Sequence, residues 1–308
     1  MNRMKRTFSR RYGKEGDLAL LRSFLSELTA ESPPQAYWHP GDLVWTMFQN
    51  TLFDPPESIR LWMAGPDLLG FAVLEGPDYV VMQVRPSLRG SGELEEQMLS
   101  WAAERLDDRE RNPGGEIRTN ALESDRATTT LLEKRGFERS TNHAFNLMHR
   151  NLADAPRVHP PEGWSVRPVG AEEEWQQRVD LHREVWAPSK VTLEAYRRLR
   201  TVPGYDPGLD LVAVGPEGIL GSYCICWLDQ RSRTGLFEPV GTSSSYRRQG
   251  LGQAVIAEGL RKLRDRGAES AFVLCVHGSD AALGLYESAG FRTVERECTY
   301  GRELAGFR

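Results

Sequence analysis

The chain has 308 residues, 40% hydrophobic and 27% charged, with a formal net charge of −4. That length suits two ordinary domains, the apolar fraction excludes wholesale disorder, and the acidic balance argues against a dedicated nucleic-acid binder. No apolar run approaches the ~18 residues that cross a bilayer, and the basic N-terminus has no apolar stretch behind it of the kind a secretory signal carries. The expectation is a soluble, cytoplasmic protein without nucleic-acid or membrane partners.

In chain order, residues 7–12 (TFSRRY) read as a strand and residues 17–30 and 42–52 as helices. Residues 59–65, 69–76 and 78–84 are apolar strands, followed by a turn and helix over 89–106, a strand at 116–122, a helix at 127–137 and a last strand at 144–150. Residues 153–163 (ADAPRVHPPEG) break the pattern, because Pro156, Pro160 and Pro161 stiffen a stretch with neither helical nor strand period. The second half then repeats the same order. A strand spans 164–169, and a helix with acids in its first turn spans 171–186. A short helix spans 192–202, and strands at 209–215 and 219–228 join across Gly215-Pro216-Glu217-Gly218 as a hairpin. A strand at 235–241 leads through a Gly-rich turn to a helix over 250–266, with a strand at 271–276, a helix at 279–289 and a final strand through 291–300. Gly136-Phe137 matches Gly290-Phe291 and Arg89 matches Arg247, so a duplicated α/β (α+β) unit is the economical account. The expected boundaries are 1–152, a linker at 153–163, and 164–308.

Cys224 and Cys226 sit two apart in an apolar strand, which places both on one face. Zinc sites prefer CxxC-type spacing with further ligands, and the histidines are scattered, so the four cysteines read as free core thiols and no metal is expected.

Chemistry concentrates in FEPVGTSSSYRRQGLGQAVIAEGLRKLRDRG, a strand, a loop carrying Arg247-Arg248-Gln249-Gly250-Leu251-Gly252, and a helix whose apolar face is Ile256, Leu260 and Leu263. Such a loop turns backbone N–H groups toward one point at a helix N-terminus, where the dipole favours an anion such as a phosphate. Gly250 and Gly252 allow close backbone approach, and the two arginines add charge. No Gly-Lys-Ser/Thr follows and GxGxxG is absent, which excludes the Walker and dinucleotide fingerprints. The alternative on this motif alone is a tight turn with exposed arginines. Downstream, SDAALGLYESAGF puts Ala282, Leu285, Tyr286 and Ala289 on one helical face, with Ser279 at the N-cap and Gly290 as the C-terminal stop.

These residues resemble the GNAT superfamily of acetyl-CoA-dependent N-acetyltransferases. Arg247, Gly250 and Gly252 match its Gln/Arg-x-x-Gly-x-Gly/Ala loop, and Ala282, Leu285, Tyr286, Gly290 and Phe291 match its later Asn-x-x-Ala-x-x-Leu-Tyr-x-x-x-Gly-Phe pattern, with Ser279 in place of Asn. The resemblance covers about 164–300 and implies two tandem domains, each a mixed, mostly antiparallel sheet flanked by helices. It implies acetyl-CoA as co-substrate in a cleft between splayed parallel strands, held by Val240, Gly241 and Thr242 at the pantetheine arm, by Arg247, Arg248, Gln249, Gly250, Leu251, Gly252 and Gln253 at the pyrophosphate, and by Ser279. It implies Tyr286 as the acid that protonates the leaving thiolate; the alternative is a packing role. Glu238, in the apolar run LFEPV, is the first choice for the base that deprotonates the amine, against the reading of a solvent-facing strand residue; Asp229, His182 and His277 follow. Trp186, Tyr196 and Tyr205 are the expected acceptor-side aromatics, because they follow the first strand of the domain; the alternative is that helical aromatics pack the core.

The first half resembles the family more faintly. Leu94 takes the small-residue position, Glu93, Glu95 and Glu96 crowd the helix start, and Leu132 replaces the tyrosine, so this half is expected to be non-catalytic. The expected reaction is direct acetyl transfer to a primary amine of a small molecule or peptide, by a monomeric pseudo-dimer or a homodimer. The alternative is a non-catalytic acyl-CoA-binding or regulatory protein.

Overall fold

A computed structural model describes residues 7–31, 38–89, 91–107, 112, 114–154 and 158–305. Residues 155–157 of the expected linker and Gly90 of the first turn lie outside the described residues. The elements run β1 (Thr7–Arg11), α1 (Asp17–Glu31), α2 (Pro40–Phe48), α3 (Pro55–Ser58), β2 (Ile59–Ala64), β3 (Asp67–Glu75), β4 (Tyr79–Val84), α4 (Pro86–Arg89), α5 (Glu93–Leu106), β5 (Glu116–Leu122), α6 (Arg126–Lys134) and β6 (Glu138–Asn151). They continue as β7 (Ser165–Pro168), α7 (Glu172–Val185), α8 (Leu193–Leu199), β8 (Asp210–Val214), β9 (Leu220–Asp229), β10 (Thr234–Thr242), α9 (Leu251–Asp265), β11 (Ser270–Val276), α10 (Asp280–Ser288) and β12 (Arg292–Glu303). Among the described residues no helix is long and apolar enough to cross a membrane.

The fold is mixed α/β and divides into two compact units, neither of which is one continuous stretch. The first comprises residues 1–37, 54–146 and 295–308. Its strands β1 to β4 pair antiparallel in sequence, β4 and β5 pair parallel, and β12 adds antiparallel to β5 with Glu297 opposite Leu122. The second comprises residues 38–53 and 147–294, with strand order β6-β11-β10-β9-β8-β7. There β7, β8, β9 and β10 pair antiparallel and β10 pairs parallel with β11.

The compact units depart from the expected 1–152 and 164–308 in which end strands they hold. Residues 147–152 put Met148 and Leu152 into the second core, whereas Cys298, Tyr300 and Leu304 fill the first. Helix α2 also joins the second unit. His39 Nδ1 accepts from the Gly41 amide at 3.0 Å and Asp42 Oδ2 from the His39 amide at 2.7 Å, a reciprocal N-terminal cap. With Nδ1 accepting, the ring proton sits on Nε2, which donates to Thr234 O on β10 at 3.3 Å. A Cβ at Gly41 would lie 2.3 Å from the Trp227 ring, so only glycine lets α2 lie this close to β9.

Strand alternation sorts β9 as expected. Cys224 and Cys226 turn toward Val255, Ile256, Leu260 and Leu263 of α9, while Tyr223 packs with Leu181 and Val212 on the opposite face. All four cysteines are free and buried. The Cys224 and Cys226 sulfurs lie 3.8 Å apart, and burial pushes the Cys226 thiol up.

Candidate active site

Strands β10 and β11 hold a parallel ladder only from Thr234/Ser270 to Leu236/Phe272. Beyond it they part. A register shift between Phe237 and Val240 marks a bulge on the β9 side, at Glu238-Pro239, with the Trp227 indole donating to Glu238 O at 2.6 Å. After the bulge, Ser243 N donates to Gly221 O on the β9 side. Alternation therefore turns the amides of Val240 and Thr242 to the opposite edge, where β11 has left. The opening is a cavity of about 1090 Å3.

The loop after β10 closes one wall. Gly250 takes φ +85° at the N-cap of α9, a left-handed conformation that glycine adopts without strain, and no side chain caps the helix. The amides of the first turn are thus left pointing outward, since a helix cannot satisfy them internally. A Cβ at Gly252 would stand 3.3 Å from both Leu285 Cδ2 and Thr242 Oγ1, so glycine keeps the backbone open to the cavity. Arg247, Arg248 and Gln253 line the space, as do Val240, Gly241, Thr242, Gly250, Leu251, Gly252, Ser279 and Tyr286. Gln249 and Glu238 are not among the lining residues; Gln249 donates to Ser245 O at 3.3 Å. The donor set suits a diphosphate: outward amides, a helix dipole and two exposed arginines.

Opposite the loop stands α10. Ser279 occupies its N-cap without a side-chain capping bond. The Tyr286 ring is buried, edge-on to Phe291 at 6.0 Å, and Phe291 in turn meets Phe237 at 5.9 Å. Burial, with the Glu238 charge adding, pushes the phenol above its ordinary value, so it stays protonated at neutral pH. The same charge acts on Tyr223, which sets Glu238 within electrostatic reach of both phenols.

The end of α7 forms a further edge. Val185 and Trp186 line the cavity, and Trp186, 47% exposed, stacks over His182 with an interplanar angle of 26°. His182 Nδ1 meets Tyr223 OH at 2.7 Å, and burial, with the Arg178 charge next, pushes the imidazole down to about 3. It is neutral throughout the physiological range. Trp45 of α2 packs edge-on to His182 at 5.5 Å.

The other expected aromatics belong elsewhere. Tyr196 and Tyr205 donate to Asp210 Oδ2 at 2.5 and 2.8 Å, and Arg178 Nε reaches Oδ1 at 3.3 Å, in a buried network away from the cavity. Asp229 closes the β9–β10 turn by accepting from Ser232 N at 2.9 Å. His277 is exposed in the turn after β11 and does not line the cavity.

The corresponding loop of the first unit is built differently. Strands β4 and β5 pair at Tyr79/Arg118 only, and Gly92 opens α5 at φ +69°. However, Arg89 Nη1 meets Asp125 Oδ2 at 3.2 Å, both largely buried, and Asp125 Oδ1 also caps α6 through Thr128 N at 3.1 Å. Leu131 stands 3.4 Å from where a Cβ of Gly92 would be. The arginine of this loop is thereby engaged by a protein carboxylate. Glu95, in the first turn of α5, is buried, and burial pushes its carboxyl up to about 7. Since the folded chain binds this proton more tightly than the unfolded one, stability falls as pH rises from about 4.5 through about 7. Glu95→Gln is expected to add about 2 kcal/mol at pH 8 and nearly nothing at pH 4. Urea melts at the two pH values check this, and an equal gain at both would contradict the titration.

A splayed parallel pair, a glycine-opened helix N-terminus and a neutral phenol on one cavity define an acyl-CoA-dependent acyltransferase. The profile of the Acetyltransferase (GNAT) family matches residues 171–291. Among similar proteins is the mycothiol acetyltransferase of Streptomyces scabiei, 28% identical over 267 residues that span 81% of this chain and 82% of that one. The mycothiol acetyltransferase of Segniliparus rotundus is 26% identical over 251 residues, 76% of this chain and 90% of its own. In fold, the chain is similar to a GCN5-related N-acetyltransferase from Sphaerobacter thermophilus, with a TM-score of 0.68, 18% identity and coverage of 97% and 96%. It is equally similar to a tandem GNAT protein of the clavulanic acid biosynthesis pathway, with a TM-score of 0.68, 16% identity and coverage of 97% and 99%. Residues 171–291 thus carry the match to the GNAT acetyltransferases, and the activity is acetyl-CoA-dependent N-acetyl transfer to an amine acceptor.

Proposed function

We propose that the second unit alone carries the reaction and that the acceptor is a small, mycothiol-related primary amine, a reading supported by relatives named mycothiol acetyltransferase. The observation that carries the assignment to this unit is the cavity between β10 and β11, which gathers the Val240–Thr242 edge, the α9 N-terminus and Tyr286. Acetyl-CoA supplies an activated thioester. The outward amides of Val240 and Thr242 hold the pantetheine arm and polarise the acyl oxygen. Arg247, Arg248 and the amides from Gln249 to Gln253 take the pyrophosphate, with Ser279 at the facing helix start.

Glu238 takes the proton that the attacking ammonium must lose, directly or through a water, and Tyr286 gives its phenolic proton to the departing sulfur. The nitrogen sheds its second proton as the tetrahedral intermediate collapses to the amide, and that proton restores the Tyr286 phenol, so the net release is CoA thiol and one proton by way of Glu238. Trp186 offers an exposed, His182-backed ring against which the acceptor's carbon skeleton lies. The first unit is a non-catalytic copy, because its loop arginine is tied to Asp125 and a buried Glu95 stands at the helix start where a pyrophosphate would approach.

Release of CoA thiol across a panel of primary amines, including mycothiol-related ones, aminoglycosides and short peptides, tests this reading. Turnover confined to mycothiol-related amines is expected. Turnover only with peptides, or with none of the amines despite tight acetyl-CoA binding, would overturn it.

A further inference from the structure

The loop that leads into α9 is fastened to α7 by a single carboxylate. Glu184, in the last turn of α7, accepts three hydrogen bonds on Oε1: from Ser243 Oγ at 3.0 Å, from the Ser244 amide at 2.9 Å and from Ser244 Oγ at 2.9 Å. Ser243 is itself anchored, its amide donating to Gly221 O at 2.9 Å, and its hydroxyl also accepts from Ser245 N at 3.4 Å. On one side of this fastening the next residues, Val185 and Trp186, line the cavity. On the other side, Tyr246, Arg247 and Arg248 line it as well. Glu184 does not line the cavity, and no step of the chemistry above uses it.

A carboxylate beside a loop that receives phosphates repels them through space. Whatever Glu184 contributes to binding therefore comes chiefly from accepting hydrogen bonds, which fixes the serine turn and, through it, the direction of the two arginines, with the pull of its charge on Arg247 second. Its three donors hold the carboxyl below its ordinary range, the Ser244 amide foremost, so the fastening is intact at neutral pH. Ser243 and Ser244 have no other partner of comparable reach on α7 among the described hydrogen bonds.

We propose that Glu184 is a positioning residue for acetyl-CoA, bolting the Ser243–Ser244 turn to α7 so that the Arg247–Arg248 wall and the Val185–Trp186 wall stand at a fixed separation. It is distinct from the acid and base assigned above, since it would set cofactor affinity and leave the chemical step alone.

The test is calorimetric titration of the full chain with acetyl-CoA and no acceptor, so the result does not depend on which amine is the substrate, together with steady-state kinetics. Glu184→Ala is expected to raise the Kd and the KM for acetyl-CoA about tenfold, with kcat at saturation within about threefold of the parent. Glu184→Gln keeps the accepting oxygen and removes the repelling charge, and is expected to bind within about twofold of the parent or more tightly. Ser244→Ala added to Glu184→Ala is expected to change nothing further, because the partner is already gone. An unchanged Kd in Glu184→Ala overturns the proposal, and so does a Glu184→Gln as weak as Glu184→Ala. Should Glu184→Ala not fold, Ser243→Ala/Ser244→Ala removes the hydroxyl donors from the other side and must raise the KM in the same way; a KM equal to the parent's overturns the proposal.

Discussion

Replacing Tyr286 with Phe is expected to lower kcat about 10²- to 10³-fold while leaving the KM for acetyl-CoA within about twofold. The ring is what packs: it lies edge-on to Phe291, and both belong to the core that α9 closes. Phenylalanine keeps that ring and removes only the proton donor. Burial and the Glu238 charge keep the phenol protonated, so at neutral pH essentially every molecule has the proton to give. Losing it forces the sulfur to leave as an unprotected thiolate, a cost borne in the transition state and not in binding. Single-turnover kinetics with saturating acetyl-CoA measure it. A kcat within threefold of the parent would return Tyr286 to a purely structural role.

Asp210→Ala is expected to cost about 3–5 kcal/mol, the largest effect on stability of any change considered. Asp210 is wholly buried, and it gathers Arg178, Tyr196 and Tyr205, with Arg200 Nη1 bonded to both tyrosine hydroxyls at 3.1 and 2.7 Å. Removing it strands the Arg178 guanidinium, 2% exposed, in a site where its remaining electrostatic partners are the Tyr223 ring, 3.6 Å beneath it, and the Tyr196 ring at 5.9 Å. Asp210→Asn keeps an accepting oxygen but not the charge and should fall between alanine and the parent. Denaturant titration followed by fluorescence reports the change, with Trp227 close to Tyr205 at 6.2 Å. A loss below about 1 kcal/mol would mean that the tyrosine rings suffice to hold the buried cation.

The same network shows where sequence reading stops. Amphipathic spacing located α9 and its face, Ile256, Leu260 and Leu263, all of them fully buried, because a helix against a sheet imposes its own period on the sequence. The loop from Arg247 to Gly252 and the Tyr286 helix were equally legible, since a backbone that must turn and open restricts residue type at fixed spacing. Tyr196 and Tyr205 look like acceptor-side aromatics in the sequence because a helical or loop tyrosine carries no mark of which way it faces. The missed signal was Asp210, a lone carboxylate in the apolar run LDLVAVG, which has to be paired to be buried there. Helix α2 and the end strands could not be placed from order along the chain, because pairing depends on which edge is open and not on which half a segment comes from. Glu184 was invisible for a related reason: its partners are serines about 60 residues away.

The proposed reaction requires one acyl-CoA site per chain, in the second unit. Calorimetric titration of the intact protein with acetyl-CoA tests it most directly. One equivalent is predicted, weakened severely by Gly252→Val, whose side chain would fill the space that Leu285 and Thr242 leave 3.3 Å away. Two equivalents, or a single one indifferent to that substitution, would contradict it.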